Sequence, residues 1–201
     1  MKKEETSRVF KLYMILLGCR PSGRHVEQHD FFFGIAPSLK ELVPEIKSFW
    51  PDALESIHID GWREVTRVDN YEIKIVLKEN SELTSAVENP NALFFINLGG
   101  YQANQFEEKH YVMLSVNKDH AQAIKAAKQT LFFKTSTIRT TKGANAHIDD
   151  KFGIDVDDIY KIEEILSPGQ KEKFQLEIAL SSSPLPEDEI HLGYFKLDKL
   201  S

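Results

Sequence analysis

The chain contains an internal repeat, and this feature constrains its fold more than any other. Residues 12–30 recur without a gap as residues 93–111, so that each position matches the one 81 residues later. The identical pairs are Leu12 and Leu93, Ile15 and Ile96, Leu17 and Leu98, Gly18 and Gly99, Glu27 and Glu108, and His29 and His110. Such self-similarity predicts two structural units of the same kind.

A second segment extends the repeat at a different offset. Residues 57–78 read as two strands separated by a turn at Asp69 and Asn70. An offset of 89 gives the identical pairs His58 and His147, Ile59 and Ile148, Asp60 and Asp149, Asp69 and Asp158, Tyr71 and Tyr160, and Ile73 and Ile162. The larger offset predicts eight inserted residues in a polar loop between about 132 and 146.

Local patterns supply the remaining elements of each unit. Apolar and aromatic runs predict strands at residues 9–17 and 29–35. A helix at residues 39–50 follows, where Ser38 and Glu41 have the spacing of a capping box and Pro44 predicts a kink or a late start. The corresponding second helix begins at Asp119. The predicted fold class is α+β, with two pseudo-symmetric β-β-α-β-β units of a roll or β-grasp type packed together.

These elements define the expected domain organisation. Residues 9–78 form the first repeat unit, 79–91 a linker and 92–166 the second repeat unit. Residues 167–201 form a C-terminal strand and tail, in which a turn at 167–169 precedes a strand at 174–180.

Composition excludes several classes of function. A net charge of -6 and a pI near 5.7 argue against sequence-independent nucleic-acid binding, which depends on Lys and Arg. The single Cys19 cannot form an intramolecular disulfide, which favours a reducing, cytoplasmic location. The apolar run before Cys19 superficially resembles a lipoprotein leader, but its repeat partner lies in mid-chain and therefore indicates a strand. No run reaches the roughly 20 apolar residues that span a bilayer, so no membrane association is expected.

Two motifs resemble a known family. The first is GCRPSGRHVEQHD at residues 18–30, and the second is HIDGWREV at residues 58–65, with an aromatic strand between them. Together they resemble the bacterial family DUF1543, a domain of unknown function found in one or two copies. The resemblance covers residues 12 to about 77 and again 93 to about 165. It implies the duplicated α+β arrangement, and it implies no activity, substrate or catalytic residue.

The main candidate site combines Glu27, His29, His58 and Asp60. Each Glu-x-His or His-x-Asp pair lies on one face of a strand, so the two pairs converge if their strands are neighbours. Three interpretations remain open: structural hydrogen bonds, a divalent metal site, and acid/base catalysis by Glu27 and His29. The structural interpretation is favoured, and no cofactor or metal is expected. Glu108, His110, His147 and Asp149 are expected to repeat the cluster in the second unit.

Further ligand-binding residues are expected nearby. Arg20, Arg24 and His25 lie on a loop of the first unit that could bind a phosphate or carboxylate, with a solvated loop as the alternative. Trp62 and Arg63 are candidates for stacking on a ligand, with core packing as the alternative. Cys19 is interpreted as a buried residue, with a nucleophilic thiol as the alternative.

The leading functional hypothesis is a non-enzymatic module that binds a protein partner or a small acidic ligand through the loop from Arg20 to Asp30. Common nucleotide-binding, serine-hydrolase and zinc-protease motifs are missing from the sequence. The alternative is a small acid/base enzyme that uses Glu27 and His29 while Arg20 and Arg24 hold an anionic substrate. A third hypothesis is a homodimer in which an exposed aromatic strand at 31–33 completes a larger sheet.

Overall fold

The structure is a computed structural model that describes residues 8–53, 56–79, 90–101, 106–129, 154–183 and 186–200, with the backbone alone at 101 and 154–157. The chain forms two compact units. Unit 1 comprises residues 1–86 together with 166–201, and unit 2 comprises residues 87–165. Strands and short helices occur in both units, which confirms the α+β class.

Unit 1 is built on a four-stranded antiparallel sheet with the order β10-β3-β1-β2. Its strands are β1 (Lys11–Cys19), β2 (Gln28–Ala36), β3 (His58–Glu64) and β10 (His191–Lys196). The strands β4 (Arg67–Val68), β5 (Tyr71–Leu77) and β9 (Phe174–Leu180) form a second sheet in the order β4-β5-β9. The first two strands lie within about two residues of their predicted positions.

The central strand β1 is buried along most of its length, as its non-alternating apolar sequence predicts. One face of β1 contributes Tyr13, Ile15, Leu17 and Cys19 to the main hydrophobic cluster of unit 1. The helical segment after β2 covers this face through the fully buried Leu42 and Ile46. Gly18 lies between two of the cluster residues in sequence, so its position belongs to the opposite face of the strand.

The helical segment has two parts. A 3-10 turn at Leu39–Leu42 precedes helix α1 (Val43–Phe49), and Pro44 lies in the first turn of α1, where its missing N–H removes no hydrogen bond. The late start expected from Pro44 is therefore confirmed. The predicted capping box is not formed, because the Ser38 hydroxyl donates to Glu41 Oε1 at 3.4 Å instead of bonding a helix amide.

A short helix holds the free edge of β2. The predicted turn at 167–169 is wrong, since Pro168–Lys173 forms a helix, here α4, after helix α3 (Ile162–Ile165). The buried Gln170 side chain accepts a hydrogen bond from Ile35 N–H at 3.0 Å and donates to Ile35 O at 3.2 Å. It also donates to Glu45 Oε1 at 2.9 Å. The amide of Gln170 thus pairs with the edge strand as another strand would.

Unit 2 contains a three-stranded sheet in the order β7-β6-β8 and one covering helix. Its elements are β6 (Ala92–Tyr101), β7 (Glu108–Asn117), α2 (His120–Ala127), β8 (Ile154–Lys161) and α3. Asp119 caps α2 as predicted, because its Oδ1 accepts the Gln122 N–H at 2.8 Å. Phe94, Ile96 and Leu98 are fully buried and pack with Ala123 and Ala127 of the helix.

The first two strands of each unit pair in the same register. Gly18 pairs with His29 in unit 1, and Gly99 pairs with His110 in unit 2. Both pairs agree with the sequence offset of 81. Whether the units are related by pseudo-symmetry stays a prediction.

The third strand does not follow the predicted offset of 89. Strand β8 pairs with β6 as β3 pairs with β1, so that Ile159 lies opposite Ile96 where Trp62 lies opposite Ile15. Residues 158–162 were expected to match the strand that begins at Tyr71, and this prediction is wrong. The register gives an offset of 97 for the third strand.

No helix within the described residues is long and apolar enough to cross a membrane.

We expect Gln170→Ala to lower the free energy of unfolding by about 2–3 kcal/mol, because it leaves the buried N–H and C=O groups of Ile35 without their partners. Urea unfolding measures this change. Gln175→Ala, at an exposed position of β9, is the matched control and should stay within about 0.5 kcal/mol of wild type. Equal stability of the two variants would contradict this account of the sheet edge.

Candidate functional site

The four residues of the predicted cluster converge above one glycine. Gly18, near the end of β1, pairs with His29 of β2 on one side and with His58 of β3 on the other. A Cβ atom at Gly18 would lie 2.4 Å from Asp60 Oδ2 and 2.6 Å from His58 Nε2. The space above Gly18 is therefore occupied by the polar groups of the neighbouring strand, and only a residue without a side chain leaves room for them.

A β-bulge directs the Asp60 carboxylate into this space. Leu17 pairs with Ile59 and Leu16 pairs with Gly61, so Asp60 is an extra residue on β3 with no partner on β1. The core-facing residues on the two sides of the bulge are Ile59 and Trp62. They are consequently three positions apart, whereas a regular strand would separate them by two or four. Sequence reasoning treated 57–65 as a regular strand, and no local signal other than Gly61 indicates the irregularity.

His58 is held rigidly in one orientation. Its side chain is 4% exposed, and its Nδ1 lies 2.9 Å from the Ser56 carbonyl oxygen. Because a carbonyl can only accept, Nδ1 carries the proton and donates it. The ring also packs against Tyr194 of β10 with centroids 4.2 Å apart. These contacts direct Nε2 towards the carboxylates.

Each carboxylate directs one oxygen towards each histidine. His58 Nε2 lies 3.1 Å from Glu27 Oε1 and 3.1 Å from Asp60 Oδ1. His29 Nε2 lies 3.1 Å from Asp60 Oδ2 and 3.8 Å from Glu27 Oε2. Although the first three separations are short, none has hydrogen-bond geometry, and the buried atoms His58 Nε2 and Asp60 Oδ2 have no hydrogen-bond partner. Unsatisfied buried polar atoms are rare, so this cluster needs a physical explanation.

The cluster is buried on one side and open on the other. Asp60 is 24% exposed, whereas Glu27 and His29 are 43% and 47% exposed. Donor atoms of Glu27, His58 and Asp60 all lie within 4.8 Å of one another, a separation that permits them to hold one metal ion. His29 lies beside this set of three. The prediction that the side chains of Glu27, His29, His58 and Asp60 converge is therefore correct.

The basic loop is tied to the same part of the structure. The Arg20 backbone N–H donates to the Ser56 hydroxyl at 3.2 Å, so Ser56 anchors both the start of this loop and His58. The Arg20 guanidinium donates to the His25 carbonyl oxygen at 3.2 Å, and Arg24 N–H closes a turn on Pro21 O. Arg20, Arg24 and His25 are all exposed. Arg20 thus supports the loop, while Arg24 has no such bond among the described contacts of its side chain.

Cys19 is not an activated thiol. It is fully buried in the main cluster of unit 1, and burial, with the nearby Glu27 carboxylate, raises its thiol pKa. A raised pKa disfavours the thiolate that a nucleophile requires. The interpretation of Cys19 as a buried residue is therefore confirmed, and the alternative of a nucleophilic thiol is not supported.

Trp62 and Arg63 lie on β3 beyond the bulge. Trp62 packs against the core and stacks on His191 at 3.9 Å, as the core interpretation predicts. It also lines a cavity of about 350 Å³ with Tyr13 and Phe195. Burial lowers the pKa of Arg63, and the charges of Asp188 and Glu187 oppose this effect. The contacts of these two residues are with this region rather than with the His58 cluster.

The expected second copy of the cluster is only partly described. Glu108 and His110 lie on β7, and Gly99 lies beside His110 as Gly18 lies beside His29. His147 and Asp149 lie outside the described residues. By register, the residue paired with Gly99 on the third strand is Asp155, and the bulged position is Asp157. The sequence IDVDDIYK of β8 contains the two acidic residues at these positions. The identities at offset 89 led to a different alignment.

Two of the three aromatic side chains at 31–33 are buried, although the homodimer hypothesis expected an exposed strand there. Phe32 and Phe33 are 6% and 4% exposed, and Phe32 packs edge-on against Phe49. Among the described residues of unit 1, Leu192 and Tyr194 of β10 are exposed apolar side chains, and others are Val9, Val26, Phe49, Leu180 and Ile190.

Comparisons with known proteins show a family resemblance over part of the chain and no activity. Residues 24–75 match the family model described as Domain of Unknown Function (DUF1543), which confirms the resemblance over the stretch that contains all four cluster residues. The chain is similar to the crystal structure of a protein Il1583 from Idiomarina loihiensis, with 19% identity over 94% of this chain and 98% of that chain and a TM-score of 0.53. Such a likeness shows the fold alone. A comparison with curated proteins finds no match.

We expect Gly18→Ala to disrupt the cluster, because the added Cβ would meet Asp60 Oδ2 and His58 Nε2 well inside van der Waals contact. Overpacking of this kind costs about 1–3 kcal/mol in the free energy of unfolding. Gly169→Ala is the control, since nothing lies within 4 Å of its Cβ position and Ala favours the helix there. Thermal or urea unfolding compares the two, and a neutral Gly18→Ala would refute the packing described above Gly18.

Stability should depend on pH through Tyr13. Burial, the charge of Glu64 and a hydrogen bond from Tyr13 to Glu64 raise the pKa of Tyr13 to about 12 from an ordinary value of 10.0. The folded state therefore keeps this proton at a pH where the unfolded chain loses it. Its contribution is complete below pH 10 and is lost as pH rises from about 10 to about 12, a change of about 2–3 kcal/mol.

Urea unfolding of wild type and Tyr13→Phe between about pH 8 and pH 11.5 measures this effect. The stability advantage of wild type over Tyr13→Phe should shrink as the pH rises above 10. Parallel pH profiles for the two proteins would contradict the assignment to Tyr13.

Proposed function

We propose that this chain, whose residues 24–75 match the DUF1543 family model, is a binding module for a divalent metal ion held in unit 1 by Glu27, His58 and Asp60. This proposal replaces the sequence-based expectation that the cluster is structural and holds no metal. It keeps the leading hypothesis of a non-enzymatic binding module and changes the ligand.

The orientation of His58 carries the proposal. Its Nδ1 donates to the Ser56 carbonyl, so a neutral ring presents the lone pair of Nε2 to two carboxylate oxygens at 3.1 Å. Three electron-rich atoms at that separation repel one another unless a cation lies between them. A buried histidine whose other nitrogen donates to a backbone carbonyl is the usual arrangement of a metal ligand.

The spacing of the donor atoms supports the same conclusion. Zinc bonds to His nitrogen and to carboxylate oxygen are about 2.0–2.2 Å long, which puts tetrahedral ligand atoms about 3.3–3.5 Å apart. The two separations of 3.1 Å around His58 Nε2 are close to this value. One imidazole and two carboxylates suit a borderline ion such as Zn²⁺ better than Ca²⁺, which takes oxygen ligands.

The structural interpretation explains less. A histidine that pins a loop by hydrogen bonds should make them with normal geometry, yet His58 Nε2 and Asp60 Oδ2 make none. A protonated His58 between the two carboxylates would remove the repulsion without a metal. The two cases differ in whether the purified protein takes up an ion.

Acid/base catalysis on an anionic substrate is the second candidate function. It is favoured by the exposure of Glu27 and His29 and by the contact of His29 Nε2 with Asp60 Oδ2 at 3.1 Å, which would orient the ring. Binding of a protein partner and homodimer formation also stay proposals. The exposed Leu192 and Tyr194 of β10 favour an interface there over one at residues 31–33.

The metal proposal predicts one Zn²⁺ ion per chain in isothermal titration and in elemental analysis. His58→Ala should lower the affinity at least about 100-fold, because it removes the best-oriented ligand. His25→Ala is the matched control, since this exposed histidine lies outside the set of donor atoms and should leave the affinity unchanged. Asp60→Asn keeps the side-chain shape and should weaken binding even if His58→Ala unfolds.

Zn²⁺ at 100 times its dissociation constant should also raise the free energy of unfolding by about 2.7 kcal/mol. Absence of Zn²⁺ uptake, combined with a loss of about 2 kcal/mol in Asp60→Asn, would support the structural interpretation and exclude this proposal.

A further inference from the structure

The cluster has a closed side and an open side, and the open side determines what a bound ion could contact. His58 is 4% exposed and forms the floor together with Gly18. Glu27 and His29 form the rim and are nearly half exposed. An ion held by Glu27, His58 and Asp60 would therefore face solvent on the side of the rim.

Three protein ligands do not complete the coordination of a divalent ion. Zinc takes four ligands, and sites with three protein ligands keep a position for water or an exchangeable ligand. His29 does not belong to the set of mutually close donor atoms, although its Nε2 lies 3.1 Å from the second oxygen of Asp60. His29 therefore lies at the edge of the cluster, outside the three-residue set.

The charge around the open side favours an anion in that position. The two carboxylates of Glu27 and Asp60 neutralise a dication. The loop that leads into Glu27 carries the exposed side chains of Arg20 and Arg24, which add positive charge to this part of the chain. A neutral metal centre whose adjoining loop carries guanidinium groups would attract an anion that can bond to both.

The loop is connected to the site through Ser56, and its two arginines differ. Ser56 accepts the Arg20 N–H on its hydroxyl and the His58 Nδ1–H on its carbonyl, so the start of the loop and the floor of the site are fixed to one residue. Arg20 uses its guanidinium to hold the His25 carbonyl. Arg24, three residues before Glu27, is the cation better suited to contact a ligand.

We propose that the metal ion of unit 1 keeps an exchangeable coordination position on the side of Glu27 and His29, and that this position binds a small oxyanion, a phosphate or carboxylate group, with Arg24 as its second contact. This inference rests on the proposed metal site and deepens it. It joins the basic loop and the His58 cluster into one ligand site, in which the metal and a guanidinium bind the same group.

Visible spectroscopy of the Co²⁺-loaded protein tests metal binding and oxyanion binding separately. Inorganic phosphate should change the Co²⁺ absorption bands saturably in wild type. Arg24→Ala should bind Co²⁺ as wild type does but bind phosphate about tenfold more weakly, the usual loss for one charged hydrogen bond. Lys40→Ala, which removes an exposed cation outside the loop, should match wild type in both titrations.

Other outcomes overturn the inference in distinguishable ways. Failure to bind Co²⁺ would remove the metal proposal itself. Normal Co²⁺ binding with no response to phosphate or to azide would show that the position is closed, and a response that appears only in His29→Ala would identify His29 as the residue that closes it. Equal phosphate affinity of wild type and Arg24→Ala, or of loaded and metal-free protein, would exclude the shared site.

Discussion

The absence of a side chain at Gly18 is the constraint on which the site depends. Strand β1 runs between β2 and β3, and both neighbours carry a histidine beside Gly18. The backbone there supplies a flat floor, and the carboxylate of Asp60 and the ring of His58 lie directly on it. Any larger residue would push these groups apart, so the arrangement of the cluster depends on a glycine at this position of β1.

Burial is what makes the cluster informative. Surface ion pairs between histidine and carboxylates contribute little and occur without function. Here the ring of His58 is fixed by Ser56 and Tyr194 and shielded from water, so water cannot relieve its unpaired Nε2. An unpaired nitrogen on a half-exposed ring such as that of His29 could bond to water, and it would not indicate a bound ion.

The sequence predicted local features well and strand register poorly. The strands at β1 and β2, the late start of α1 and the Asp119 cap follow from periodicity and capping, which depend on neighbouring residues alone. The convergence of Glu27 with Asp60 was predicted from alternation and was reached by a bulge instead. Pairing between distant strands is a tertiary property, and several identities at offset 89 outweighed the correct alignment in a segment rich in Asp and Ile. The anchoring of Arg20 by His25 likewise depends on loop conformation, which composition does not determine.

The Gln170 side chain has a consequence for assembly. Strand β2 is an edge of the four-stranded sheet, and an edge exposes N–H and C=O groups that another chain can pair with. At Ile35 both the N–H and the C=O group are already hydrogen-bonded to the side-chain amide of Gln170. A foreign strand that docks there would have to expel Gln170 and break its bond to Glu45. The side chain of Gln170 therefore hinders the addition of another strand to β2 at Ile35.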